Sequence, residues 1–158
     1  MTKTYVRSAD SADFSTLLSI DRGSFPPGIA YSSAELSYFM RRPGAQTLVA
    51  EIDGEIVGFI LVDVSPRRKA ANMVTLDISA RHRRKGYATE LFLKSERVLI
   101  ELAIERYELQ VDVENASAIA FYRKHGFEME RTLKRYYANG NDAYFMSKAL
   151  PSSVDKSS

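Results

Sequence analysis

The spacing of hydrophobic and polar positions changes several times along the chain, and each change marks the boundary of an element. Helical spacing predicts helices at residues 10–22, 87–102 and 116–124, and a further helix that begins at Ser32 or Ser33 and ends before Pro43. Short apolar or alternating runs predict strands at residues 4–7, 47–52, 55–64, 73–78, 107–113, 128–134 and 143–148. Residues 67–72 are polar and predict a connector. This order predicts a mixed α/β fold in which helices pack on one sheet.

Length and composition limit the classes of protein that need to be considered. The chain has 158 residues, so we expect one domain over residues 1–150 and a disordered tail over residues 151–158. No apolar run approaches the roughly 20 residues that cross a bilayer, and the N-terminus lacks the apolar stretch of a signal peptide. The absence of cysteine excludes a thiolate nucleophile and a cysteine-based metal site. We therefore expect a cytoplasmic protein that uses no metal and does not contact a membrane.

A basic turn that contains a glycine leads into the predicted helix at residues 87–102. Arg83, Arg84 and Lys85 precede Gly86 in this turn. The first turn of a helix has free backbone N–H groups and the positive end of the helix dipole, and glycine lets a ligand approach the backbone. The turn has neither the three glycines of a dinucleotide fingerprint nor the Gly-Lys-Ser/Thr of a P-loop. It predicts a diphosphate site, although a solvated basic loop is the simpler interpretation.

A second junction between a strand and a helix lies at residues 113–116. Asn115 and Tyr122 are seven positions apart and lie on one face of the predicted helix. Asn115 can be the helix cap and Tyr122 a half-buried aromatic residue. Alternatively, this junction and the one after Gly86 form one crevice at the carboxyl ends of two strands. Both interpretations remain open at this point.

The two motifs, in this order, resemble those of the GNAT superfamily of acetyl-CoA-dependent N-acetyltransferases, and the resemblance covers residues 4–150. The superfamily's Gln/Arg-x-x-Gly-x-Gly/Ala loop is similar to the segment with Arg83, Gly86 and Ala88. Its second motif is matched at Asn115, Ala118, Phe121, Tyr122, Gly126 and Phe127. The resemblance implies a central, mixed and largely antiparallel sheet that is flanked by about four helices.

A third segment narrows the resemblance within the superfamily. It is similar to the Tyr-Tyr-x-x-Gly-x-Asp-Ala-x-x-Met segment of the ribosomal-protein alanine acetyltransferases and of related protein N-terminal acetyltransferases, with Tyr136, Tyr137, Gly140, Asp142, Ala143 and Met146. In such enzymes an apolar loop that contacts the peptide lies where this chain has Phe25 and Pro26. The resemblance thus implies that Phe25, Pro26, Tyr136 and Tyr137 contact the acceptor.

Acetyl-CoA is the co-substrate that the resemblance implies. The strand edge at Leu76, Asp77 and Ile78 would bind the pantetheine arm through its backbone, as an added strand does. The diphosphate would lie against Arg83, Arg84, Lys85, Gly86, Tyr87, Ala88 and Thr89. Asn115 would bind the pantetheine side, and Tyr122 would lie near the thioester sulfur.

The resemblance makes Tyr122 the candidate general acid. A phenol with an ordinary pKa of about 10 can give a proton to a departing thiolate of pKa about 8.5. A backbone N–H of the predicted strand at residues 73–78 would stabilise the oxyanion.

The chain departs from the family pattern at the general base. Related N-terminal acetyltransferases carry Glu or His where this chain has Gln110, and a second base position corresponds to Asn72. A glutamate that some relatives carry after the first helix falls near Pro27. Because none of these residues takes up a proton at neutral pH, we expect Gln110 and Asn72 to hold a water that removes the amine proton.

The missing base bears on the choice of acceptor. An α-amine has a pKa of about 7.7–8.0, so about a tenth of it is neutral at pH 7, whereas about one lysine side chain in a few thousand is neutral. We therefore predict that the acceptor is the N-terminus of a protein or peptide, such as a ribosomal protein. A small free amine, such as an amino acid, a polyamine or an antibiotic, is the alternative acceptor.

Two other classes of protein remain open. The missing base also suits a non-catalytic acyl-CoA binder. The basic residues at 67–69 and 81–85 suit a nucleic-acid or ribosome-binding module, but the net charge of +2 argues against it, and we expect no direct binding of nucleic acid. GNAT domains occur as monomers and dimers, so a monomer or a homodimer is expected.

Overall fold

The computed structural model describes residues 4–152, which contain seven strands and four α-helices. The strands are β1 Tyr5–Ser8, β2 Ala45–Ile52, β3 Glu55–Ser65, β4 Ala70–Ile78, β5 Arg106–Asp112, β6 Glu128–Leu133 and β7 Ala143–Ala149. The helices are α1 Phe14–Ser24, α2 Ser33–Met40, α3 Tyr87–Glu101 and α4 Ala116–Lys124. Most of the tail that was predicted to be disordered, residues 153–158, lies outside the described residues.

All seven strands belong to one sheet, in the order β1-β2-β3-β4-β5-β7-β6. β4 and β5 are parallel, and the other neighbouring strands between residues 4 and 152 are antiparallel. α3 is the crossover helix that a parallel pair requires. The prediction of a mixed, largely antiparallel sheet with about four helices is confirmed.

Apolar side chains cover both faces of the sheet. In β3, Ile60 and Val62 pack on the face that carries α3, while Phe59 and Leu61 pack on the face that carries α1 and α2. Successive side chains of a strand point to opposite faces, so a strand buried on both sides is apolar throughout. α4 packs on the same face as α3, through Phe121 among other residues. The sheet therefore separates α1 and α2 from α3 and α4.

Two predictions about these elements were wrong. β4 begins at Ala70 and not at Met73, because the buried Ala70 and Ala71 pair with β3 on one side and β5 on the other. Residues 70–72 are therefore strand and not connector. The helix that was predicted at residues 87–102 also ends one residue earlier, because Leu102 lies just past the end of α3 and is 50% exposed. Within residues 4–152, no helix is both long enough and apolar enough to cross a membrane.

Candidate active site

The parallel pairing of β4 and β5 stops part-way along both strands. Paired Cα positions run only as far as Met73 opposite Leu109, and a register shift against β3 leaves Val74 without a partner there. A bulge of this kind bends its strand and ends local pairing. A cavity of about 390 Å³, which we call the gap cavity, lies between the separated ends of β4 and β5.

The edge of β4 that faces this gap presents backbone groups. The carbonyl oxygen of Val74 accepts a hydrogen bond from the Tyr31 hydroxyl at 3.2 Å, and that of Ile78 accepts one from Arg83 Nε at 3.0 Å. Because backbone groups of alternate residues point to the same side of a strand, the N–H and C=O of Leu76 face the gap as well. Leu76 lies beyond the last β4–β5 pair, so this edge can take up an extended ligand.

A second cavity, of about 410 Å³, lies at the turn before α3, and we call it the loop cavity. Gly86 precedes α3 with a φ of 88°, a left-handed conformation that suits glycine, and a Cβ there would meet no atom within 4 Å. Within the described range, residues 4–152, no side chain caps the first turn of α3, so its N–H groups remain available. The residues of this turn that line the cavity are Arg83, Arg84, Gly86, Tyr87, Ala88 and Thr89.

The side chains of Arg83 and Lys85, two basic residues of the turn, lie in different surroundings. The guanidinium of Arg83 bonds the end of β4 and approaches the Ser24 hydroxyl at 3.4 Å, so it bridges β4 and α1 at the cavity wall. Lys85 is exposed and does not line the cavity. The predicted role of both side chains in binding a diphosphate stays a prediction.

The two junctions between strand and helix line one crevice. Asn115 and Tyr122 lie on the walls of both the gap cavity and the loop cavity, as do Leu76 and Phe25. The Asn115 side chain also accepts a hydrogen bond from the Ala118 N–H at 3.2 Å, so it is the cap of α4. Both interpretations of this motif therefore hold together.

The Tyr122 hydroxyl can donate a hydrogen bond to a ligand in the cavities. Among residues 4–152 this hydroxyl has no hydrogen-bond partner, although the residue lines both cavities. Burial raises the pKa of Tyr122, and the nearby carboxylate of Asp77 raises this pKa further. Tyr122 therefore keeps its proton at neutral pH and is a weaker acid than the ordinary phenol from which its role was predicted.

Gln110 and Asn72 form the pair that was predicted from the sequence to hold a water. Gln110 Nε2 donates a hydrogen bond to Asn72 Oδ1 at 2.9 Å. Gln110 lines the gap cavity, whereas Asn72 lies behind it, within the paired part of β4. The bond to Asn72 uses the amide N–H of Gln110, so its Oε1 atom is left to accept a hydrogen bond from a ligand.

A groove of about 980 Å³, which we call the outer groove, lies on the α1–α2 side of the sheet and shares part of its wall with the gap cavity. Phe25, Tyr31 and Tyr137 line both spaces, Pro26 lines the gap cavity, and Tyr136 lines the groove. The loops that carry these residues are joined, because the Ala138 N–H donates to the Gly28 carbonyl at 3.1 Å. A Cβ on Gly28 would lie 2.8 Å from the Asn139 nitrogen, so this contact requires glycine.

Asp77 was predicted, with Leu76 and Ile78, to bind the pantetheine arm, but unlike them it does not face the gap. Asp77 is 1% exposed, and its side chain meets Asp21 of α1. By the same alternation its backbone groups face β3 and not the gap, so the free edge of β4 is formed by Leu76 and Ile78. Asp21 and Tyr31 were missed as site residues. The available signal was an acidic residue, Asp21, in the apolar spacing of α1; nothing near Tyr31 in the sequence marked it.

A family model described as "Acetyltransferase (GNAT) family" matches residues 14–127. The chain belongs to this family. Among residues 4–152, no cluster of His, Asp or Glu side chains could hold a metal ion. As a member of the GNAT family, the chain is an acetyl-CoA N-acetyltransferase, which is an acyltransferase.

Curated relatives include enzymes that act on two kinds of acceptor. An L-amino acid N-acetyltransferase, AaaT of Escherichia coli (strain K12), is 41% identical over 117 residues, which cover 68% of this chain and 70% of the relative. An N-alpha-acetyltransferase of Sulfurisphaera tokodaii is 31% identical, with 92% of each chain covered. The crystal structure of Ard1 from Thermoplasma volcanium superposes with a TM-score of 0.85 at 25% identity, covering 94% of this chain and 98% of that one.

Proposed function

We propose that this GNAT enzyme transfers the acetyl group of acetyl-CoA to an α-amine, and that the acceptor is the N-terminus of a peptide or protein. The observation that carries the proposal is that the loop cavity, the gap cavity and the outer groove adjoin one another through shared wall residues, with Tyr122 on the wall between the first two. A free amino acid would fill only the gap cavity. A peptide has room to continue along the outer groove past Tyr31 and Tyr137.

The residues around the loop cavity fit acetyl-CoA. The uncapped N-terminus of α3 and the turn at Gly86 offer backbone N–H groups and positive charge to a diphosphate. The free edge of β4 at Leu76 offers a donor and an acceptor to the amides of the pantetheine arm. A ligand bound along both would bring its thioester into the gap beside Tyr122.

The reaction joins the amine nitrogen to the thioester carbonyl carbon and breaks the bond between that carbon and sulfur. A backbone N–H at the free edge of β4 stabilises the oxyanion in between. Tyr122 donates a hydrogen bond to the departing sulfur, which leaves as a thiolate and becomes the thiol when it is protonated. The amine proton leaves through a water held at Gln110 Oε1, since this side chain accepts a hydrogen bond but cannot itself take the proton.

A free L-amino acid is the second candidate acceptor. It is favoured by the 41% identity to AaaT, a higher identity than that to the N-alpha-acetyltransferase of Sulfurisphaera tokodaii. Both candidates present an α-amine, so they make the same demand on Gln110 and Tyr122. They differ in whether the acceptor extends into the outer groove.

The experiment that tests the proposal is acetyl transfer from acetyl-CoA, followed as release of free thiol. The acceptors are short peptides with different N-terminal residues, the same peptides with blocked α-amines, free L-amino acids, lysine and spermidine. We expect turnover on unblocked peptides and none after the α-amine is blocked. Turnover on free amino acids alone would replace the first candidate with the second, and tight binding of acetyl-CoA without turnover on any acceptor would identify a non-catalytic binder.

Unpaired positive charge in the outer groove predicts a preference among peptides. Arg22 at the end of α1 and Arg135 in the loop between β6 and β7 line the groove, and neither guanidinium has an ion-pair partner among residues 4–152. Glu35 also lines the groove, but its carboxylate caps α2 by accepting from the Ser32 N–H at 2.9 Å. Two exposed ion pairs between these arginines and a peptide, at about 0.5 kcal/mol each, correspond to about a fivefold difference in kcat/KM. Peptides with Asp or Glu at positions two and three should therefore show about fivefold higher kcat/KM than peptides with Lys there.

Replacing Arg135 with Ala should remove roughly half of this preference in free-energy terms, and added salt should weaken it. Because free amino acids do not reach the groove, their kcat/KM should be the same for the wild-type protein and the Arg135→Ala variant. Equal rates for acidic and basic peptides at low salt would contradict the prediction.

A further inference from the structure

Two buried carboxyl groups meet beneath the loop that connects α1 to α2. Asp21 of α1 is 0% exposed, and Asp77 of β4 is 1% exposed. The Thr75 hydroxyl lies 2.5 Å from Asp77 Oδ1 and 3.4 Å from Asp21 Oδ1, so the two carboxyl groups share one donor. The second oxygen of Asp77, Oδ2, is buried and has no hydrogen-bond partner among the residues that the structure describes.

Too few hydrogen-bond donors contact the two carboxyl groups to stabilise both of them as carboxylates. Thr75 has one hydroxyl hydrogen, and the Tyr31 N–H, at 2.7 Å from Asp21 Oδ2, supplies one more. Two like charges that share a dry site disfavour each other's ionisation, and an unpaired buried charge is strongly destabilising. A proton on Asp77 removes the repulsion and turns one carboxyl group into a donor toward the other.

The other ionisable groups around this site do not neutralise it by contact. The positive charge of Arg83 acts on Asp77, but its guanidinium bonds the Ile78 carbonyl and approaches the Ser24 hydroxyl. Tyr31 from the loop and Tyr122 from α4 are uncharged at neutral pH, because burial raises the pKa of each. Burial, with contact to Asp21 and its charge, raises the pKa of Asp77 well above its usual range, and Thr75 and Arg83 only partly oppose this.

The carboxyl pair is connected to the wall of the acceptor space through Tyr31. The Tyr31 backbone N–H is bonded to Asp21, and its hydroxyl is bonded to the Val74 carbonyl on the separated part of β4. The Tyr31 ring lines both the gap cavity and the outer groove. Any displacement of Asp21 therefore moves Tyr31 on the acceptor wall, whereas Tyr31 does not line the loop cavity.

We propose that Asp21 and Asp77 share one proton and act as a pair of positioning residues that holds Tyr31, and with it the acceptor wall, against β4. The assignment of this wall to the acceptor rests on the proposed function. Loss of the shared proton separates the two carboxylates, shifts Tyr31 and weakens acceptor binding. Binding of acetyl-CoA at the loop cavity is unaffected.

A direct test follows the carboxyl carbons of aspartate by ¹³C NMR in the full-length protein as pH is varied. Resonances assigned through Asp21→Asn and Asp77→Asn should show one carboxyl group of the pair still protonated well above pH 4, the region where ordinary aspartates ionise. Ionisation of both groups near pH 4 would overturn the proposal. This measurement needs no turnover, so its failure is distinct from failure of the proposed function.

A kinetic test compares acceptor KM with acetyl-CoA KM across pH. In Asp77→Asn the amide supplies a donor toward Asp21 that cannot titrate, so the ratio of wild-type to variant acceptor KM should rise with pH. The acceptor's own titration cancels in this ratio. The exposed turn variant Asp53→Asn, at a φ of 51° that Asn adopts readily, should keep the wild-type profile.

The variant Asp77→Ala removes the donor at every pH. Its acceptor KM should be about tenfold higher than that of the wild-type protein, the effect of one lost hydrogen bond to a charged group, with acetyl-CoA KM within twofold. An acceptor KM that is unchanged in Asp77→Ala, in a variant whose circular dichroism is native, would also overturn the proposal. If Asp77→Ala does not fold, the NMR titration and the Asp77→Asn comparison still test whether the two carboxyl groups share a proton.

Discussion

Replacing Tyr122 with Phe should lower kcat by about 100-fold, with little change in KM for either substrate. The ring of Tyr122 packs against Phe121 and Phe127, and phenylalanine keeps those contacts. The hydroxyl has no hydrogen-bond partner among residues 4–152, so its removal leaves no buried group unpaired. What is lost is the hydrogen bond to the departing sulfur, and donors of this kind contribute about 100-fold or more. Steady-state thiol release with both substrates varied gives the required constants.

The exposed Tyr5 provides the matched control, because Tyr5→Phe removes a hydroxyl from β1 at a residue that is 61% exposed. Its kcat should equal that of the wild-type protein. A Tyr122→Phe variant with unchanged kcat and a raised KM for acetyl-CoA would mean that Tyr122 binds the co-substrate and takes no part in its cleavage.

The raised pKa of Tyr122 changes how its part in the reaction is understood. From the sequence, an ordinary phenol was predicted to hand its proton to the thiolate. Full transfer from a free phenol of pKa about 10 to a thiolate of pKa about 8.5 is already uphill, and burial beside Asp77 raises the pKa of Tyr122 and makes the transfer less favourable still. We therefore expect Tyr122 to act by donating a hydrogen bond to sulfur as negative charge develops there. No limb of the pH–rate profile below pH 10 should belong to it.

The sequence was enough to predict the sheet and its helices because local signals agreed with each other. The apolar runs, the turn at Asp53 and Gly54, and the caps at Ser32 and Asn115 all lie where the corresponding elements begin or end. The start of β4 was missed because Ala70 and Ala71 are small and adjoin a basic turn. Only their pairing with strands on both sides makes this segment part of the sheet.

The separation of β4 from β5 was not predictable in the same way. It depends on the unpaired Val74 and on a parallel pairing that stops after Met73, and neither has a signature in hydrophobic spacing. The carboxyl pair needed tertiary information too. Asp21 and Asp77 lie on different elements, 56 positions apart in the sequence, and only the packing of α1 on the sheet brings them together.

At pH 7, a peptide α-amine should react a few hundred times faster than a lysine side chain of similar accessibility. The nitrogen must be neutral to attack, and the residue on the cavity wall at the usual base position is Gln110, which cannot take a proton. The neutral fraction is about a tenth for an α-amine of pKa about 8 and about one in a few thousand for lysine. The ratio of kcat/KM for a peptide and for the same peptide with a blocked α-amine and one lysine measures this difference.

The same reasoning fixes the pH dependence of kcat/KM for the α-amine and provides a variant that alters it. The value should rise about tenfold per pH unit below pH 7 and level off near pH 8, where the α-amine itself is neutral. In Gln110→Glu a carboxylate would line the gap cavity beside Asn72, which can turn its amide to donate. This base should make the rise below pH 7 shallower. A wild-type profile that is flat down to pH 6 would mean that a group other than Gln110 removes the proton, and Asp112 and Glu114, the carboxylates on the wall of the gap cavity, would be the next residues to replace.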